Sequence, residues 1–283
     1  MRYDILHRTR YTYATPVRDS FNDVRLQPMP IPEQTVESFL LKVIPAVRLT
    51  HYKDFYSNWV NHFEIHEPHG GLLIEAQSRV VTNPPAPLPA EKLCAFDRLK
   101  DTPNIERCFE YQQASRYVEI TPESWKLAVD ATDGVDDAWL AMLALMKFVH
   151  GYLKYESNST NVHTHMREVI QDKRGVCQDF AHLLLGFCRA LKIPARYVSG
   201  YLATETASAS HAWMEAFLPG YGWRGLDPTH NCQLSETYVK LANGRDYADA
   251  LPISGNYFDV TQSGPANKIE RKMEVEVKIT PLG

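Results

Sequence analysis

The chain has 283 residues, enough for one large domain or two smaller ones with a packed core. Its hydrophobic fraction of 44% and charged fraction of 23% are those of a globular protein, and a formal net charge of −4 leaves no basic field for nucleic acid or an anionic membrane. Five cysteines, Cys94, Cys108, Cys177, Cys188 and Cys232, are odd in number, widely spaced and without a CxxC pair. That spacing argues against a disulfide framework or a zinc knuckle and for a reducing compartment.

Charges interrupt Met1 to Arg8 every few residues, so no signal-peptide core is expected. No apolar run approaches the roughly 18 residues of a membrane span. The expectation is a cytoplasmic protein with neither a nucleic-acid nor a membrane partner. Its oligomeric state is not legible.

Residues 1 to 82 read as β-structure. Tyr3, Ile5 and His7 alternate with polar residues, and the segments 39–44, 59–65 and 72–76 fit later strands between Pro, Asn and Gly turn signals. Several short strands of this kind predict an antiparallel, sandwich-like unit. The run Asn83-Pro84-Pro85-Ala86-Pro87-Leu88-Pro89 breaks the pattern, and residues 83–90 read as an extended linker.

Helical signals dominate the start of the second half, 91–283. Thr121-Pro122 reads as an N-cap followed by proline at the first helical position. Asp136-Asp137-Ala138 opens a helix in which Trp139, Met142, Leu143, Met146, Val149 and Leu153 recur at helical spacing. A short helix is predicted over 167–172 and a long one over 176–192, ended by Pro194. Strands follow at about 195–202, 211–218 and 223–228, and 272–279 alternates cleanly as another. The fold class is therefore α+β, with helices leading into an antiparallel sheet.

Three residues on consecutive elements carry chemistry. Cys177 stands at a predicted helix N-terminus, where the helix dipole and unpaired N–H groups favour a thiolate and a developing oxyanion. Alone, it would equally be a small buried apolar cysteine. His211 opens a strand with Ala212, Met214, Ala216 and Leu218 on one face and His211, Trp213, Glu215 and Phe217 on the other. Pro219-Gly220-Tyr221-Gly222 is a turn signal. Folding the strands back on it brings Asp227 within a residue or two of the position opposite His211. Asp227 could orient the imidazole or simply cap the strand as an Asp-Pro turn.

The run from Gly175 to Leu183, the run from Arg189 to Tyr201, His211-Ala212-Trp213 with Glu215, and Gly222-Trp223 followed by Leu226-Asp227-Pro228-Thr229 together resemble the transglutaminase-like superfamily. The resemblance is in particular to bacterial members with an additional β-rich N-terminal region, which accounts for residues 1–82. It implies a papain/transglutaminase-like core over about 135–230, a helix bearing the cysteine packed on an antiparallel sheet. It also implies Cys177 as nucleophile, His211 as base and acid, and Asp227 as orienter. His230 departs from the pattern, where Asn is more usual.

Gln178, Trp213 and Tyr155 are candidates for the second oxyanion donor or the cleft wall. Asp179 and His182, three residues apart on the nucleophile helix, could pair with each other; otherwise Asp179 caps the helix and His182 packs. The small, polar loop 204–210 reads as a cleft rim or a plain surface loop.

The implied chemistry is thiol-dependent cleavage of a peptide or protein amide through a thioester. With water as acceptor the protein is a peptidase or amidase; with an amine it is a transglutaminase. No cofactor is expected, and no acidic EF-hand-like loop points to calcium. A zinc hydrolase built from Cys177, His182, His211, Asp227 and His230, with His163 and His165 near, is a competing class. It lacks HExxH or paired CxxC. A non-catalytic binding module is a third.

Overall fold

The structure is a computed structural model. It describes residues 1–105, 108–157, 159–161, 163–203, 208–260 and 271–282. The loop 204–210 lies largely outside the described residues.

Five strands open the chain: β1 (Arg2–Val24), β2 (Gln34–Ile44), β3 (Thr50–Lys53), β4 (Trp59–Ile65) and β5 (His69–Thr82). The alternation read from Tyr3, Ile5 and His7 holds. All three are buried, and the burial continues through Thr9, Tyr11 and Tyr13 on the same face of β1. These strands lie in one curled antiparallel sheet of order β2-β5-β1-β4-β3.

Two more of its strands come from the far end of the chain. β13 (Ile253–Asp259) pairs with residues 17–24 of β1, and β14 (Arg271–Leu282) pairs with residues 2–13, Arg2 opposite Leu282. The strand predicted at 272–279 therefore exists but belongs to the N-terminal sheet, not to the sheet of the second half. Alternation identifies a strand without saying which edge it will fill. Here the free edge of the 23-residue β1 takes it.

The second half contains α1 (Pro122–Ala131), α2 (Ala138–Tyr152), β6 (Lys154–Tyr155), α3 (Met166–Asp172), β7 (Arg174–Gly175) and α4 (Cys177–Ala190). These are followed by β8 (Ala195–Ala203), β9 (Ser208–Leu218), β10 (Gly222–Asp227), β11 (Cys232–Gln233) and β12 (Tyr238–Gly244). The caps act as read. The Thr121 hydroxyl accepts from Ser124 N, and the Asp137 carboxylate accepts from the amides of Trp139 and Leu140 at 2.9 and 3.1 Å. Two 3₁₀ segments, Phe96–Asn104 and Glu110–Gln112, lie in the connection after the prolines.

The five-stranded sheet has the order β11-β10-β9-β8-β12. Ala212, Met214, Ala216 and Leu218 turn inward against Phe180, Leu183, Leu184 and Phe187 of α4 in one apolar core. The N-terminal sheet packs on a second core that takes in Tyr201, Ala203, Val239 and Leu241 from β8 and β12. The sandwich character expected of residues 1–82 thus arises between that curled sheet and the five-stranded sheet. Two carboxamides add specificity at this junction. Gln34 accepts from the Lys240 amide and donates to the Lys240 carbonyl, and Asn58 does the same for Asn243.

The proline-rich segment is extended and pinned. Leu88 exchanges two hydrogen bonds of 2.8 Å with the Gln233 side chain.

Candidate active site

Cys177 is the first residue of α4. The short parallel pair β6–β7 delivers the chain to it, with Glu156 N donating to Gly175 O at 3.0 Å. Asp179 closes the turn. Its Oδ2 accepts from Val176 N at 2.8 Å and from the Thr160 hydroxyl at 2.6 Å. Gly175 leaves room for this carboxylate, since a Cβ there would stand 2.6 Å from the Asp179 side chain. Cys177 is partly exposed, whereas the other α4 cysteine, Cys188, is fully buried.

The hairpin forms on the expected turn, Gly220 and Gly222 taking the positive φ values of 88° and 76°. Leu218 pairs with Gly222 and Met214 with Leu226, so Asp227 falls two positions short of the residue opposite His211. The imidazole bridges the gap: His211 Nε2 donates to Asp227 Oδ2 at 2.7 Å. The Cys177 side chain is hydrogen-bonded to the same ring, which leaves Nδ1 as the nitrogen on the thiol side.

Asp227 is completely buried and saturated with donors. Oδ2 accepts from His211, from His230 Nδ1 and from the Tyr238 hydroxyl, each at 2.7 Å. Oδ1 accepts from the backbone amides of Thr229 and His230 at 2.8 and 3.3 Å. Burial alone would raise the carboxyl. The hydrogen bond and charge of His211, with His230 and Tyr238, overrule it and hold Asp227 well below the usual carboxylate range. Burial likewise works against the His211 cation, but Asp227 and Cys177 prevail and raise it to about 9.

The aromatic surroundings fix the ring. Trp213 stacks beside His211 at 6.3 Å between centroids, and Tyr238 packs edge-on against Trp213 at 5.4 Å. Gly200 makes the Trp213 position possible, because a Cβ there would strike the indole and the Val239 carbonyl. Tyr238 escaped sequence reading. It begins β12, at the opposite side of the sheet from β10, and nothing in its local pattern announces a reach to Asp227.

The remaining candidates separate. Gln178 is buried in the first turn of α4. Tyr155 is half-exposed and packs against Phe180 of α4; burial, then the Cys177 charge, raises its hydroxyl. Trp213 Nε1 has no hydrogen-bond partner among the described residues. Asp179 and His182 do not pair: Asp179 caps α4, and His182 Nε2 accepts from Tyr247 N at 3.1 Å while its ring stacks on Tyr117.

His163 and His165 also gather at Tyr117, away from the thiol. The five-ligand zinc set is therefore dispersed. What converges is His211, Asp227 and His230. Their N–O distances of 2.7 Å are hydrogen bonds, shorter than the ~3.4 Å that separates neighbouring ligands around tetrahedral zinc.

A cavity of about 330 Å³ lies beyond Trp213 and Tyr238, lined also by Arg196, Glu215, Lys240 and Pro84 to Pro87. It does not contain Cys177, His211 or Asp227. At its wall, Glu215 accepts from Arg196 Nη2 at 2.6 Å and from Lys240 Nζ at 2.7 Å.

A cysteine-headed helix packed on an antiparallel sheet that carries histidine and aspartate defines a papain/transglutaminase-like α+β protein. Residues 126–228 match the model of the transglutaminase-like superfamily core, and residues 3–81 match that of the bacterial transglutaminase-like N-terminal region. The chain is 33% identical to an uncharacterized protein of Mycobacterium leprae over 90% of its own length and 93% of that protein's. It belongs to the transglutaminase-like superfamily.

Its fold is similar to the crystal structure of a candidate cysteine protease of Cytophaga hutchinsonii. That likeness has a TM-score of 0.77 at 23% identity and covers 100% of this chain and 92% of the other. A 98-residue stretch is 35% identical to a protein-glutamine gamma-glutamyltransferase of Pseudomonas aeruginosa, covering 29% of this chain and 14% of that protein.

Proposed function

We propose that the protein is a thiol-dependent amide hydrolase, a peptidase or amidase in which Cys177, His211 and Asp227 act as nucleophile, acid–base and orienter. The observation that carries this reading is the chain of contacts from the buried Asp227 carboxylate through His211 to the Cys177 thiol. Asp227 fixes the Nε2–H tautomer and stabilises the imidazolium.

The thiolate adds to the amide carbonyl carbon, and first-turn groups of α4 face the developing oxyanion. His211 gives its proton to the leaving nitrogen as the C–N bond breaks, leaving a thioester on Cys177. Water then loses a proton to His211 and attacks the thioester. The C–S bond breaks, releasing a carboxylic acid and restoring the pair. The name given to the Cytophaga hutchinsonii protein agrees with this acceptor.

The identity with a gamma-glutamyltransferase segment favours a second reading, in which a primary amine replaces water. All five cysteines are free, and no described helix is long and apolar enough to cross a membrane. The free cysteines fit action on a peptide or protein amide in a reducing, cytoplasmic setting.

The test is a panel of peptides and small amides, incubated with and without a primary amine and followed by mass spectrometry. Release of the free acid identifies hydrolysis, and an amine-linked product identifies transfer. Neither forms with Cys177→Ala. Undiminished turnover in that variant sinks both readings.

A further inference from the structure

His230 follows Asp227-Pro228-Thr229 in a turn that α2 holds in place, His150 Nδ1 donating to the carbonyls of Pro228 and Thr229 at 3.2 and 3.1 Å. The turn presents His230 to Asp227 twice, through its backbone amide and through Nδ1. The Nδ1 contact falls on the same carboxylate oxygen that orients His211, at the same 2.7 Å. The two imidazole rings stand 5.2 Å apart at 58°. The His230 side chain is 49% exposed, whereas those of His211 and Asp227 are 8% and 0% exposed, so of the three His230 is the one open to solvent.

We propose that His230 is a positioning residue for the reaction: as the second imidazole on Asp227 Oδ2, it divides the carboxylate's charge with His211 and so makes the Cys177–His211 pair sensitive to acid. This rests on the Cys177–His211–Asp227 reading above. Neutral His230 donates one ordinary hydrogen bond. Protonated His230 brings a full cation to that oxygen and a like charge to the neighbouring ring.

The other titratable groups facing this point are the Tyr238 hydroxyl on Oδ2, Cys232 opposite Asp227 on β11, His150 beneath the turn, and Cys177 beyond His211. His230 shares Asp227 Oδ2 with His211 Nε2, whereas Cys177 meets the ring at its other nitrogen. A charge on His230 therefore repels the His211 proton more than it favours the thiolate. The result is a weaker ion pair whenever His230 carries a proton.

Asparagine is the discriminating substitution. Its side-chain nitrogen occupies the branch position of imidazole Nδ1, so His230→Asn keeps the donor and removes the titration. The measurement is a histidine-labelled NMR titration of the full chain, with His211 assigned by its loss in His211→Gln. In the wild type the His211 signal has its main step near 9 and a second, smaller step where His230 titrates. In His230→Asn the smaller step disappears and the main step stays.

The rate of Cys177 alkylation by iodoacetamide, taken at pH 5.5 relative to pH 8, rises in that variant by on the order of threefold. Superimposable wild-type and variant titrations, or a small step that survives the substitution, overturn the proposal. The outcome is separate from the parent reading. A Cys177→Ala protein that still turns over substrate removes the catalytic assignment, whereas the NMR titration reads the His211–His230 coupling with no turnover at all.

Discussion

Two buried carboxylates flank Trp213, and they are used differently. Glu215 on β9 is held by Arg196 and Lys240, and Asp227 at the end of β10 by His211, His230 and Tyr238. Burial alone would raise both. Lys240 and Arg196 pull Glu215 down to about 2, and the hydrogen bonds of the Asp227 cluster pull that residue lower still. The difference lies in the partners. Arginine keeps its proton at any working pH, so Arg196 holds Glu215 in the ion cluster that joins β8, β9 and β12 even where Lys240, lowered by burial to about 8, gives its proton up. Imidazoles exchange theirs, so the same electrostatic arrangement around Asp227 becomes one through which a proton can pass. A buried charge cluster is thus structural where one donor is permanently charged, and open to proton exchange where none is.

Replacing each carboxylate should break the comparison in opposite ways. Asp227→Asn is expected to cut kcat/KM for amide cleavage by about 10³- to 10⁴-fold, because the neutral amide no longer enforces the reactive tautomer. The reading falls if steady-state kinetics show less than a tenfold loss. Glu215→Gln is expected to act on stability, at about 3 kcal/mol by urea denaturation, because it strands Lys240 and Arg196 without a counter-ion. The shape of its pH–rate profile should not change; a displaced limb would place Glu215 in the chemistry.

The pH dependence of stability sharpens the contrast. His211 is raised from 6.5 to about 9 in the fold, so its contribution is complete below 6.5 and is lost as pH rises through 9. Asp227 is lowered, so its contribution is present above 3.8 and is lost only in strong acid. Lys240 has the opposite sign from His211. Burial lowers it from 10.5 to about 8, and the penalty is relieved as pH climbs between those values. The His211 loss is therefore cleanest below pH 8. There, the stability difference between wild type and His211→Gln should shrink by about 2 kcal/mol from pH 5.5 to 8, because the buried His7 and His182, each lowered to about 4, titrate with the opposite sign in both proteins and cancel from the difference. A difference between the two proteins that stays constant over that interval contradicts the raised imidazole.

The smallest effect is expected from Tyr238→Phe, which removes one of three donors from Oδ2. Stability should drop by about 1 kcal/mol and kcat several-fold, with KM unchanged. A change in KM alone would instead make Tyr238 a substrate contact.

Local signals were legible wherever one element decided the outcome. Thr121 and Asp137 cap the helices they were read to cap, and the faces of β9 divide as their alternation predicts. The Pro219–Gly222 turn puts Asp227 within two positions of the residue opposite His211. The pairing of β14 with β1 was not legible, because hydrophobic alternation carries no address. Nor was Tyr238, which reaches Asp227 from a strand three places away in the sheet order. The i, i+3 spacing of Asp179 and His182 permitted a pair, yet helix capping claimed Asp179 and packing on Tyr117 claimed His182.

The sequence by itself thus determined the elements, the hairpin and the order of thiol, imidazole and carboxylate along the chain. These depend on caps, periodicity and turn residues that act within a few positions. Only the tertiary structure decided what surrounds the carboxylate. Five donors from β9, the Asp-Pro turn and β12 meet on Asp227, and that convergence is a property of sheet order and burial, where the cost of an unpaired charge selects partners across the whole fold.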